Sequence, residues 1–153
     1  MEMINVNGIE IPAIGYGTWT LNGESASNLV ASALESGYRH IDTAAMYKNE
    51  EYVGEGIRNS GINRSEIFLT TKVWSTEISE GALQESVKVS LQKLQVDVVD
   101  LVLIHWPSKT IPLAETMSAL SEVQKSGLAK NVGVSNFSVF LLQEAINLAD
   151  VPI

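Results

Sequence analysis

Val98-Val99-Asp100-Leu101-Val102-Leu103-Ile104-His105-Trp106 decides the fold of this chain. Its apolar residues run almost unbroken instead of alternating with polar ones, as in a strand covered on both faces. A strand with one wet face would alternate, so the run predicts a parallel strand packed between layers. It ends abruptly on His105, and three other runs that read as buried strands end in the same way. Tyr38-Arg39-His40-Ile41 leads to Asp42, Ile67-Phe68-Leu69-Thr70-Thr71 to Lys72, and Val132-Gly133-Val134 to Ser135-Asn136. These polar ends recur about every thirty residues, the length of one strand-plus-helix unit. In parallel barrels the strand ends collect the chemistry at one face.

Between the strands the spacing becomes helical. From Ser25, the residues Ala26, Leu29, Val30, Ala33 and Leu34 share a face, and Gly37 stands where a C-terminal cap belongs. Glu50 to Asn59 reads as a helix with Val53 and Ile57 one turn apart, closed by Ser60-Gly61. Ser79 is the expected N-cap of a helix turning Leu83, Val87, Leu91 and Leu94 inward. Leu113, Met117, Leu120 and Gln124 mark a fourth helix before Gly127, and Ser138 caps a fifth with Leu141, Leu142, Ala145, Ile146 and Ala149. The strands are predicted at Ala13–Gly17, Tyr38–Asp42, Glu66–Lys72, Val98–His105 and Lys130–Ser135. Ahead of them Ile4 to Ile11 alternates around Asn7-Gly8, a strong hairpin signal.

The order is a hairpin and then five β/α units in a single domain spanning residues 1–153. A closed barrel takes eight units and about 250 residues. Periodicity leaves two α/β architectures open: an incomplete (β/α)8 TIM barrel, or an open doubly wound sheet of the flavodoxin type. Gly15-Tyr16-Gly17 lacks the third glycine of a dinucleotide loop and gives no support to a Rossmann reading.

Composition narrows the function. A formal net charge of −8 disfavours nucleic acid, which needs clustered Lys and Arg. Apolar content of 45% and charged content of 18% are those of a globular protein. With no cysteine there is no disulfide framework, thiol nucleophile or thiolate metal site, which fits a reducing cytoplasm. The N-terminal run lacks the basic and long apolar regions of a signal peptide. Val98 to Trp106, the most apolar stretch, is too short to span a bilayer. Glu50-Glu51, Lys88 and Lys93 are expected on a solvated face.

Gly37-Tyr-Arg-His-Ile-Asp42-Thr-Ala-Ala-Met-Tyr47-Lys-Asn-Glu50-Glu-Tyr-Val-Gly54 closely resembles a signature of the aldo-keto reductase family. Gly133-Val-Ser135-Asn136-Phe137 resembles a second signature of that family. Leu69-Thr-Thr-Lys72-Val-Trp74 and Leu103-Ile-His105-Trp106-Pro107 stand where its lysine and histidine segments do. The resemblance implies a TIM barrel and NADPH-dependent reduction of aldehydes and ketones to alcohols, with NADH as the other donor and no metal. Residue by residue it places the catalytic tetrad on Asp42, Tyr47, Lys72 and His105. It places Gly17, Thr18, Asp42, Ser135 and Asn136 on the cofactor, and His105 with Trp19, Trp74 and Trp106 around the substrate. The family's later segments, with three strands and the contacts to the adenosine phosphate, have no counterpart before Ile153.

Chemistry makes sense of the tetrad. Hydride delivery to a carbonyl carbon leaves charge on oxygen, which a nearby acid must meet. A free phenol, with a pKa of about 10, releases its proton reluctantly. A Lys72 ammonium close to Tyr47 favours the phenolate, and Asp42 holds that ammonium in place. His105 orients the carbonyl by a hydrogen bond.

Other readings compete. His40 and Asp42, two apart on a strand, point the same way and with His105 would supply three ligands of a metal-dependent hydrolase. Lys72 as a Schiff-base amine is another. A third is a non-catalytic fragment, self-associating through the open edges and exposed interior of a partial barrel.

Overall fold

The computed structural model describes residues 2–153; Met1 lies outside them. β1 (Met3–Val6) and β2 (Ile9–Pro12) pair antiparallel as the expected hairpin. Its two-residue turn is Asn7-Gly8, both at positive φ, 52° and 83°, as a type I′ turn requires. Five β/α units follow: β3 (Tyr16–Gly17) and α1 (Gly23–Glu35), then β4 (His40–Asp42) and α2 (Glu50–Asn59). β5 (Phe68–Val73) and α3 (Ala82–Leu94) come next, followed by β6 (Val99–Ile104) and α4 (Leu113–Lys125), then β7 (Ala129–Val134) and α5 (Val139–Leu148).

The five strands pair in parallel in the order β3-β4-β5-β6-β7. Each strand lies beside its predecessor, as in a barrel wall. A doubly wound sheet reverses its order at a switch point, and the second architecture falls on that test. The chain is an incomplete (β/α) barrel.

Burial separates the two faces of the wall. Ile41, Leu69, Val73, Val102, Ile104 and Val132 are buried in the core cluster with Val30, Val53, Val87 and Leu120 of the helices. The alternate residues Phe68, Leu101, Leu103 and Asn131 are only half-buried. Strand alternation thus gives a dry layer between sheet and helices and a wetter inner face. Two glycines let the helices close on each other. A Cβ on Gly56 of α2 would stand 2.5 Å from the Ser27 carbonyl oxygen of α1, and one on Gly54 would collide with the Leu94 backbone of α3.

Some local expectations need correction. The N-cap of α3 is Gly81, not Ser79; Gly81 donates its N–H to the Gln84 side chain, and the Ser79 carbonyl accepts from Leu83. The third strand starts at Phe68 because Arg64–Glu66 forms a 3-10 turn capped by the Asn63 side chain. Glu50 is not on the solvated face. It is 1% exposed, whereas Glu51, Lys88 and Lys93 are exposed as expected.

Asp100, the polar break in the deciding stretch, is the hub of a buried ion cluster. Its carboxylate accepts from Arg64 Nη2 and Lys130 Nζ, each at 2.7 Å, and from the Leu69 N–H at 2.9 Å. Burial pushes its pKa up, but Lys130, Leu69 and Arg64 outweigh that and hold it below the ordinary carboxyl value. β6 therefore carries charge at its start without breaking the sheet.

Candidate active site

The strand ends bring four of the predicted residues together. Asp42 is the last residue of β4, Lys72 the last but one of β5, and His105 directly follows β6. Tyr47 closes a 3-10 turn, Ala45–Tyr47, between β4 and α2. β4 and β5 pair with Asp42 opposite Thr70, which sets Lys72 just beyond the end of β4.

Lys72 is the centre of this group. Its side chain is 9% exposed, and its Nζ donates to Asp42 Oδ1 at 2.5 Å, the Thr43 carbonyl at 3.0 Å and Tyr47 Oη at 3.5 Å. An ammonium has three donors, and all three are directed here. The same nitrogen lies 5.2 Å from the centre of the Tyr47 ring.

His105 completes the cluster. Its ring meets Tyr47 edge to face at 5.7 Å and Trp74 at 5.2 Å between centroids. Burial pulls its pKa below the ordinary histidine value, Lys72 adds to that effect, and Asp42 opposes it. The imidazole is therefore neutral at neutral pH. Among the described residues its buried Nδ1 has no hydrogen-bond partner, and an orphaned N–H is costlier than an orphaned acceptor. The single ring proton belongs on Nε2, which makes His105 a donor to a ligand.

The remaining predicted residues divide. Ser135 and Asn136 follow β7 directly, and Asn136 adopts a left-handed φ of 61°. Asn136 Nδ2 donates to the His105 carbonyl at 2.8 Å and to Ser135 Oγ at 3.1 Å, which leaves Oδ1 for an outside donor. Gly17 ends β3, and a Cβ there would meet nothing within 4 Å, so the space above it is open. Thr18 is fully buried, and its hydroxyl donates to the Asp42 carbonyl at 3.1 Å; its side chain braces the Asp42 backbone. Of the tryptophans, Trp74 reaches His105, while Trp19 and Trp106 are 72% and 47% exposed and make no ring contact with the cluster among the described residues.

The metal reading fails on its ligands. Among the described residues no three His, Asp or Glu side chains are grouped to hold an ion. His40 instead bonds Thr70 Oγ1 at 3.0 Å and packs on Phe68. A cavity of about 500 Å3 opens at the opposite end of the sheet, lined by Arg58, Arg64, Asp97 and Lys130, and touches none of the four central residues.

Asn49 and Glu50 were missed as site residues. Asn49 accepts from Thr43 Oγ1 at 3.1 Å and donates to the Thr18 and Leu21 carbonyls at 2.8 and 2.9 Å. Glu50 Oε1 accepts from Thr71 Oγ1 at 2.6 Å. A signal for Glu50 existed: it precedes Val53 by three and Ile57 by seven, on the buried stripe of α2.

A wall of sequential parallel strands, helices on its outer face and a cluster of polar groups at the strand ends define a (β/α) barrel protein. Among such proteins the family is specific. The chain belongs to the aldo/keto reductase family, whose profile it matches over residues 13–153.

It is similar to a methylglyoxal reductase, DkgB, of Yersinia pestis, 46% identical over 140 residues that cover 90% of this chain and 52% of the relative. A glyoxal reductase of Bacillus subtilis is 44% identical over 146 residues, 95% of this chain and 52% of the relative. Among solved structures, a thermostable aldo-keto reductase crystallised with the inhibitor epalrestat superposes with a TM-score of 0.94 at 40% identity, over 100% of this chain and 60% of that one. A Bombyx mori aldo-keto reductase in complex with NADP gives 0.91 at 33% identity, over 99% and 55%. The chain spans about half the length of the curated relatives it matches.

Proposed function

We propose that this site reduces aldehydes and ketones to alcohols, with Tyr47 as the acid and with Asp42, Lys72 and His105 completing the catalytic set. The observation that carries this reading is the meeting of the Tyr47 hydroxyl with a buried ammonium, and of the Tyr47 ring with a neutral imidazole. Such a group suits a carbonyl oxygen that becomes negative as the reaction proceeds. His105 Nε2 donates to the oxygen and orients it. The π pair of the C=O bond moves onto oxygen, which takes the proton from Tyr47 Oη. Lys72 stabilises the phenolate left behind, Asp42 holds Lys72, and solvent returns the proton.

NADPH, with NADH as the other donor, supplies the hydride that the carbonyl carbon receives. Residues present here suit the nicotinamide end: Asn136 Oδ1 and Ser135 Oγ suit its carboxamide, and Gly17 at the end of β3 leaves open space for the adjoining ribose. Thr18 contributes by holding the Asp42 backbone. Trp74, with Trp19 and Trp106 at the rim, walls the substrate side. The substrate to try first is a small 2-oxoaldehyde, because relatives of this chain are named for glyoxal and methylglyoxal. The absence of cysteine suits a cytoplasmic setting.

The test uses the 153-residue chain and a form extended to the length of its relatives, each with methylglyoxal and NADPH or NADH. The extended form is expected to consume NADPH, and the 153-residue chain to do so weakly. No consumption by either, with both folded, contradicts the reading.

A specific observation favours a second property of the chain, self-association. Among the described residues β3 and β7 each pair on one side alone, and Val139 and Phe140 of α5 are 87% and 81% exposed. Open edges and apolar side chains of this kind attract a second copy. Light scattering is expected to show a dimer or larger species; a compact monomer contradicts it.

A further inference from the structure

Three residues after the acid stands a buried carboxyl for which the reaction above has no use. Glu50 is 1% exposed and begins α2, three residues after Tyr47. Its Oε1 accepts from Thr71 Oγ1 at 2.6 Å, and Thr71 is the residue directly before Lys72. One hydrogen bond thus ties the segment carrying Tyr47 to the strand carrying Lys72.

That segment needs external holding. Between Tyr47 and Asn49 the backbone passes through Lys48 at φ 56°, a left-handed conformation that a lysine adopts only when its surroundings impose it. Asn49 anchors one side, on Thr43, Thr18 and Leu21. Glu50 anchors the other. The Tyr47 hydroxyl reaches Lys72 at 3.5 Å, the long end of a hydrogen bond, so a small drift of the turn would break the contact.

We propose that Glu50 is a positioning residue that holds Tyr47 against Lys72 through Thr71. The inference rests on the carbonyl-reductase reading of the site. Oε1 is the oxygen engaged; among the described residues Oε2 has no hydrogen-bond partner. Burial pushes the Glu50 pKa up; Thr71, Ser90 and Lys93 oppose it without reversing the direction. The role needs an acceptor oxygen facing Thr71 and no negative charge, so it is testable: glutamine keeps that oxygen and alanine does not.

His105 provides a readout that needs no turnover. The chain has two histidines, His40 and His105, so their ring protons are few and assignable by NMR. Burial, to which the Tyr47 ring packed on it contributes, depresses the titration of His105 and Lys72 adds to that, so a Tyr47 that drifts away, like a lost Lys72, lets the midpoint rise. The variants are Glu50→Ala, Thr71→Val and Glu50→Gln in the full chain, with Lys72→Met as the reference. Glu50→Ala and Thr71→Val should each move the His105 midpoint upward, toward that of Lys72→Met. Glu50→Gln should leave it at the wild-type value. Thr71→Val keeps the volume of the side chain and decides the matter if Glu50→Ala does not fold. A midpoint unmoved in both Glu50→Ala and Thr71→Val, while Lys72→Met shifts it, overturns the positioning role alone. A Glu50→Gln variant that behaves like Glu50→Ala overturns the claim that an acceptor oxygen without charge does the holding. No shift in Lys72→Met removes the coupled site and this inference with it.

Discussion

Two buried ion clusters sit at opposite ends of the same strands, and they are built differently. At the strand starts Asp100, with a side chain 8% exposed, is saturated by Arg64, Lys130 and the Leu69 amide. At the strand ends Asp42 is 33% exposed, and its partner Lys72 also reaches a phenol packed edge to face on the His105 ring. The first cluster has met its needs internally. The second leaves a hydroxyl, a neutral imidazole and an amide oxygen for something outside. An ion pair alone therefore identifies no site; unspent hydrogen-bonding capacity beside it does.

The largest effect tests the mouth. Tyr47→Phe in the extended form should lower carbonyl reduction by about 10²–10⁴-fold, the usual range for a general acid. The melting temperature and the cofactor Kd should stay near wild type. Turnover close to wild type would move the acid to another group.

The floor should respond in the opposite way. Asp100→Ala leaves Arg64 beside buried carbonyls without its carboxylate and should cost about 3 kcal/mol. Urea denaturation of the 153-residue chain measures this. In the extended form the same change should leave the KM for methylglyoxal in place. A large KM effect would blur the distinction between the two ends.

Gly56→Ala tests the packing that supports both ends. Its Cβ would press on the Ser27 carbonyl oxygen at 2.5 Å and on Val30 Cβ at 2.8 Å, so α1 and α2 must move apart. The expected cost is about 2 kcal/mol, as for other overpacked positions.

The smallest effect is in pH. Burial holds His40 and His105 below the ordinary histidine value of 6.5, so the unfolded chain binds more protons there. Their contribution is present above 6.5 and is lost as pH falls through the folded values. Glu50 acts in the reverse sense: its folded pKa is raised, so its contribution is present below the ordinary carboxyl value of 4.5 and is lost as pH rises. Urea midpoints should fall as the solution is acidified below pH ~6.5, less steeply in His40→Gln. A slope unchanged by His40→Gln would show that the slope arises elsewhere.

The mouth was more legible in the sequence than its support. Asp42, Lys72, His105 and Ser135 each follow a run that reads as a strand, and strand ends can be found from one residue to the next. The sheet order was narrowed to two architectures by periodicity, and only pairing between distant strands chose one. Thr18 was expected on the cofactor, yet its hydroxyl is turned to the Asp42 carbonyl, a contact across 24 positions. Glu50 was read by its charge, although its place on the stripe of Val53 and Ile57 marked it as buried. Gly54 and Gly56 carry no local signal, because their need is set by Leu94 and Ser27 on other helices. Short-range pattern located the groups; long-range contact decided which were spent.

The most direct test is a crystal structure of the extended form with oxidised NADP and an unreactive carbonyl ligand. The carbonyl oxygen is expected within hydrogen-bonding distance of both Tyr47 Oη and His105 Nε2. A ligand seated instead in the cavity beside Arg64 and Lys130, with Tyr47 untouched, would contradict the account.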